Sequence, residues 1–177
     1  RIDKRHESKI VKKKYIKFDS VVKYFIYESN NSRIYTNRIQ DTAVINNNVL
    51  LKEQSFQLRN NNFSRKFKKN IVFNIGTPRR LHELSGTLVS LLTGGGGNNN
   101  FFHWMFDVLP KLAILEKHYN LKKIDYYLCP DLNRWQLQTL NLIGIKKEQC
   151  LSSVKYRHVK ADKIITVSNY MKKEILK

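Results

Sequence analysis

The chain has 177 residues, 41% hydrophobic and 27% charged, which is the balance of a folded body with a core and excludes a disordered tail. With 33 Lys and Arg against 14 Asp and Glu, the formal net charge is +19, so the expected partners are polyanionic: nucleic acid, an anionic membrane face or a nucleotide diphosphate. No run approaches the roughly 18 to 20 apolar residues that cross a bilayer.

The lysines are spread along the chain rather than gathered in one stripe, and Lys, Asn and Ile are abundant together, as in AT-rich coding sequence; part of the charge is therefore compositional. Cys129 and Cys150 have neither the count nor the spacing of a disulfide framework or a zinc site, which predicts a reducing, cytosolic compartment.

The opening "RIDKRHESKIVKKK" is basic but leads into no apolar stretch, so it does not read as a secretory signal. The chain starts at Arg1 and stops within "NYMKKEILK", and it is expected to continue beyond both ends. From Tyr15 to about Phe67, the runs "VVKYFIYES", "DTAVI" and "NVLLKEQSFQL" are rich in β-branched and aromatic residues and are separated by "SNNSR", "NNN" and "RNNN". These predict strands joined by Asn-rich turns, with a tight hairpin at Asn46 to Asn48. Residues 1–70 are thus expected to form a small antiparallel β element.

After "RKFKKN" strands and helices alternate. "IVFNIG" reads as a strand, "TPRRLHEL" as a brief helix with Thr77 as N-cap and Pro78 in its first turn, and "GTLVSLLTGGGG" as another apolar run. A helix at "NNFFHWMFDVLPKLAILEKHYN", a strand at "IDYYLCP", a helix at "LNRWQLQTLNLIG" and a strand at "ADKIITVS" follow. This alternation predicts an α/β fold over residues 71–177, a Rossmann-like parallel sheet with crossover helices.

The stretch "GGGGNNNFFHWMFDVLPKL", Gly94 to Leu112, carries the candidate chemistry. Glycines between a strand and a helix let backbone approach a ligand, and the free N–H groups of a first helical turn favour an anion. The spacing is neither that of a dinucleotide-binding loop nor that of a P-loop, and a flexible linker is the alternative. His103 and Asp107, four residues apart, share one helix face, as a general base pair or as a structural hydrogen bond near a helix start. Phe102, Met105, Phe106, Leu109, Leu112 and Ala113 are expected to cover the core, with Trp104 and Val108 widening the apolar girth, so that the polar pair is largely buried. Pro110 lies inside the pattern and must leave the Phe106 carbonyl without its usual partner, bending or breaking the helix.

Asn100, Phe101, Phe102, His103, Trp104, Asp107, Leu109, Pro110 and Lys111 form an ordered set that resembles the signature of glycosyltransferase family 61, of the capsular and surface-polysaccharide type. "YYLCPDLNRWQLQTLNLIGI" and "VKADKIITVSN" resemble later segments of that family, and "GTPRRLHELSGTLVSLLTGGGG" an earlier one. The likeness covers the second half of the chain well and the first half loosely. It implies inverting transfer of a sugar from a nucleotide-sugar donor to a glycan acceptor, with His103 or Asp107 as the base. It also implies substrate contacts from Gly96, Gly97, Asn98, Asn99, Asn100 and Trp104, and no obligatory metal or other cofactor. The implied architecture is GT-B, with residues 71–177 as its acceptor-side half and the donor half missing, so that this chain alone is expected not to turn over. A cytoplasmic location follows, with peripheral contact to an anionic membrane face and no nucleic acid partner.

His82, His118 and His158 lie among charges and read as surface residues; Arg79 and Arg80 read as a solvated helix start, with contact to a phosphate or an acidic acceptor as the alternative; Trp135, Leu137, Leu140 and Leu142 read as helix core, with Trp135 stacked on a sugar as the alternative. The competing reading is a basic nucleic-acid-binding module, which explains the charge and gives no role to His103, Asp107 or Pro110.

Overall fold

A computed structural model of the chain describes residues 12–18, 22–60, 62–94 and 99–168. The strands are β1 (Lys12–Phe18), β2 (Val22–Thr36), β3 (Asp41–Asn46), β4 (Val49–Leu50), β5 (Phe56–Arg59), β6 (Asn62–Phe63), β7 (His82–Ser90), β8 (Tyr126–Cys129), β9 (Cys150–Ser152) and β10 (His158–Val167). They make one ten-stranded sheet in the order β6-β5-β3-β2-β10-β7-β8-β9, with β1 added to β2 and β4 to β3. Pairing is antiparallel through β1 to β6 and parallel through β10, β7, β8 and β9. The antiparallel pairing of β2 with β10, from Tyr35 opposite His158 to Ile26 opposite Val167, joins the two parts.

The helices are α1 (Phe101–His103) and α2 (Leu109–Glu116), separated by a π-turn at Trp104–Val108, and α3 (Arg134–Leu142). Both longer helices pack on the same face of the sheet, where Leu112, Leu115 and Leu140 meet Ile26, Val89, Tyr127 and Ile165. The other face, with Ile34, Leu88, Leu128 and Ile164, is covered by Leu51, Phe56 and Phe63 from the N-terminal region.

These facts correct the expected Rossmann-like domain and, with it, the GT-B half. A parallel sheet of that type is buried under helices on both faces. Here the sheet is mixed and strand-rich, helices cover one face, and the N-terminal strands supply the other cover. Two local misreadings explain the difference. "SNNSR" reads as a turn because Asn tolerates left-handed backbone, but Asn31 at φ 48° sits within β2. It falls opposite Asp162, and the register with β10 is unbroken on either side, so β2 runs as one continuous strand to the centre of the sheet. Between residues 71 and 84 the expected strand and helix are exchanged for a 3-10 turn at Ile71–Phe73 and the start of β7. The short "TPRRLHEL" has too few turns to hold as a helix, and pairing of His82 to Leu84 with β10 decides its conformation. The hairpin at Asn47 and Asn48 forms as read, with φ of 45° and 62°.

A bulge lies between β7 and β10, where the register shifts between Ala161 and Lys163 and Gly86 at φ +108° donates its N–H to Asp162 Oδ2 at 2.7 Å. A Cβ at Gly86 would lie 2.4 Å from Asp125 Oδ2, so both the backbone conformation and the close approach require glycine. Among the described residues no helix is long and apolar enough to cross a membrane.

Asp41 ties the end of β3 to two later segments. Its carboxylate is 1% exposed and accepts from Arg59 at 2.5 and 3.0 Å and from the Ile71 N–H at 2.6 Å. Asp41→Ala leaves the Ile71 N–H without an acceptor while half-exposed Arg59 turns to water. The expected cost is about 2 kcal/mol, read as a lower urea midpoint at unchanged slope.

Candidate functional site

The chain leaves β7 through a buried turn in which Gly94 has φ +79° and a Cβ would lie 2.5 Å from Leu58 Cδ1. Gly96, Gly97 and Asn98, read as substrate-binding, lie outside the described residues. Asn99 (φ 47°) accepts from Asn133 Nδ2 at 2.7 Å, and Asn100 caps α1 by accepting from the His103 N–H at 3.2 Å. Asn133 is itself the N-cap of α3, in a capping box with Gln136. The segments that follow β7 and β8, neighbouring parallel strands, are therefore pinned together, and Phe101 and Trp135 rings meet at 5.4 Å beside the Asn pair. Carboxyl ends of adjacent parallel strands are where open α/β sheets hold ligands.

Pro110 shapes the helix that follows. It has no N–H to give Phe106, and the Leu109 N–H reaches back five residues to the Trp104 carbonyl, closing a π-turn. The extra residue shifts the helix phase, which corrects the expected core face. Trp104, Val108, Lys111, Leu112, Ile114 and Leu115 point inward, while Phe101, Phe102 and Phe106 are 66%, 63% and 64% exposed. Leu142, expected in the core, is also exposed, beyond the buried stripe of α3. Trp104, read as a substrate contact, is instead fully buried; its Nε1 donates to Thr139 Oγ1 at 2.9 Å and its ring meets Trp135 edge-on. It is the pin that holds the turn against α3.

His103 Nδ1 lies 2.6 Å from Asp107 Oδ2, with side chains 43% and 40% exposed, so the pair is open to solvent rather than enclosed. Phe102 sits beside it, edge-on to His103 at 5.7 Å and against Phe106 at 4.7 Å. A carboxylate accepting from Nδ1–H fixes the neutral tautomer whose Nε2 lone pair can take a proton. The arrangement is a solvent-open imidazole–carboxylate pair beside exposed aromatic rings.

Lys111 extends the pair by one more turn, and sequence reasoning gave it no role. It is 5% exposed, and its Nζ donates to the Leu92 carbonyl at 3.3 Å. Burial lowers its pKa to about 7, with the charge of Asp107 opposing the shift. The available signal was the spacing His103, Asp107, Lys111 at i, i+4, i+8, although the π-turn leaves Lys111 on the inward side while the pair faces solvent. Thr93, just past β7, and Thr166, near the end of β10, also have buried hydroxyls without a hydrogen-bond partner. Among the described residues no three His, Cys, Asp or Glu side chains are grouped to share a metal ion.

Comparison with protein families, with curated proteins and with solved structures finds no match to this chain.

Because the folded pKa of Lys111 lies below its unfolded value of 10.5, the unfolded chain binds the extra proton between about pH 7 and pH 10.5. Lys111 therefore makes stability rise with pH across that window. Lys111→Met is expected to remove this rise and to gain stability at pH 7, measured as the variant-minus-parent difference in urea midpoint at pH 7, 8.5 and 10.

Proposed function

We propose that the chain carries the acceptor-activating site of an inverting glycosyltransferase, acting on a nucleotide-sugar donor and a glycan acceptor in surface polysaccharide synthesis. The observation that carries this reading is the solvent-open His103 and Asp107 pair at 2.6 Å, flanked by exposed Phe101, Phe102 and Phe106. The motif around the pair supports it: Asn100, His103, Trp104, Asp107 and Pro110 fall in the order of the family 61 signature.

In this reading His103 Nε2 removes the proton from the acceptor hydroxyl, while Asp107 holds Nδ1–H and offsets the imidazolium charge that develops. The acceptor oxygen forms its bond to the anomeric carbon from the side opposite the diphosphate. The bond from that carbon to the diphosphate oxygen breaks, inverting the centre. The phenylalanine faces stack on the apolar face of a sugar ring, which gives exposed aromatics beside a polar pair a purpose. Reaction takes place on the cytoplasmic side, with the basic surface against anionic lipid.

The test uses the protein expressed from its complete reading frame, with a panel of nucleotide sugars and product detection by mass spectrometry. Asp107→Asn and His103→Ala should each lower transfer about 100-fold or more, with little change in melting temperature because the pair is half-exposed. Full turnover in both variants returns the pair to a capping role. Salt-sensitive retention of RNA that is indifferent to His103→Ala is the behaviour of the competing nucleic-acid module.

A further inference from the structure

At the other end of β7 from His103, three chain segments bring cationic side chains together. The turn after β2 supplies Arg38, the stretch before β7 supplies Arg79, and the turn into β10 supplies Arg157. Backbone bonds fix the arrangement. The Thr36 N–H donates to the Arg157 carbonyl at 2.9 Å, the Arg38 N–H to Thr36 Oγ1 at 2.9 Å, and His158 Nδ1 lies 2.9 Å from the Arg79 carbonyl. Rings frame the cluster: Tyr35 against His158 at 5.3 Å, and His82 against Tyr156 at 4.8 Å.

Two features separate this cluster from an ordinary solvated surface. The Nε atoms of Arg38 and Arg157 are buried and have no hydrogen-bond partner. A buried N–H on a charged group that bonds to nothing is costly, and it marks a place where an acceptor belongs. In addition, no carboxylate among the described residues pairs with Arg38, Arg79 or Arg157; the nearby Glu83 is taken by Lys160 at 3.2 Å and Asp41 by Arg59. Burial first, and then Arg79 and Arg38, depress the Arg157 pKa, and burial likewise depresses that of His158 despite its bond to the Arg79 carbonyl. The positive charges are thus held close without an internal counter-ion.

We propose that Arg38, Arg79 and Arg157 form an anion site for a diphosphate group, separate from the His103 and Asp107 site. Guanidinium forks match the paired oxygens of phosphate. Three of them within electrostatic reach of one another and without a carboxylate partner among the described residues suit a multiply charged diphosphate rather than a single carboxylate or a lone orthophosphate. The site stands whether or not the chain is a transferase.

Isothermal titration of the chain with sodium pyrophosphate, at constant ionic strength set with sodium chloride, tests it. One saturable equivalent is expected, with orthophosphate binding at least tenfold more weakly. Arg38→Gln, Arg79→Gln and Arg157→Gln should each weaken pyrophosphate at least tenfold; exposed Arg79 serves where a variant at half-buried Arg38 or Arg157 fails to fold. The Lys66→Gln/Lys68→Gln double variant removes more charge from the exposed surface and should bind as the parent does, as should His103→Ala. Loss in the lysine variant equal to that in the arginine variants would show diffuse charge attraction and overturn the site. Equal affinity for orthophosphate would overturn the diphosphate assignment, and absence of saturable binding would overturn both.

Discussion

A missing N–H at Pro110 organises the candidate site. With no donor there for Phe106, the helix closes through a π-turn from the Leu109 N–H to the Trp104 carbonyl. That turn sets which residues face the sheet. Trp104 and Val108 enter the core, and His103, Asp107 and the phenylalanines are left outside. A regular helix with the same sequence would compromise between burying Phe102 and Phe106 and burying Trp104. The π-turn resolves the conflict by adding a residue, and the Trp104 bond to Thr139 locks the choice.

The sheet supplies the rigid part of the account. Parallel strands β7 and β8 deliver two segments to one edge, and the Asn99 to Asn133 bond keeps them together. Long antiparallel pairing between β2 and β10 ties the first fifth of the chain into the centre of the same sheet. The groups to which a function is proposed thus sit at two places fixed by strand geometry: the His103 and Asp107 pair past the end of β7, and the arginine cluster where β7 and β10 begin. Lys111 beneath the first and the unpartnered Nε atoms in the second are polar groups that packing alone does not call for.

Local signals were legible where they act over a few residues. The Asn47 and Asn48 hairpin, strand β8, helix α3 and the i, i+4 reach of His103 to Asp107 all follow from spacing and turn chemistry. What was not legible depends on partners distant in sequence. Asn31 looks like a turn residue until β10 is beside it, and "RRLHEL" looks helical until β10 pairs with it. The Rossmann-like expectation failed on the same ground, since alternating strands and helices do not reveal which face the helices take. The helix face was misjudged because Pro110 predicts a distortion without specifying that one extra residue enters the turn. Nothing in the sequence pattern gathers Arg38, Arg79 and Arg157, which come from three separate segments.

The central claim is that Asp107 fixes His103 as a base with its Nε2 lone pair free. Nitrogen-15 NMR of the imidazole, in the protein with labelled histidine and its pH held where His103 is neutral, reads the tautomer directly. The account predicts a proton on Nδ1 and none on Nε2, with that preference lost in Asp107→Ala. A proton on Nε2 in the parent protein, or a tautomer unaffected by Asp107→Ala, would contradict it.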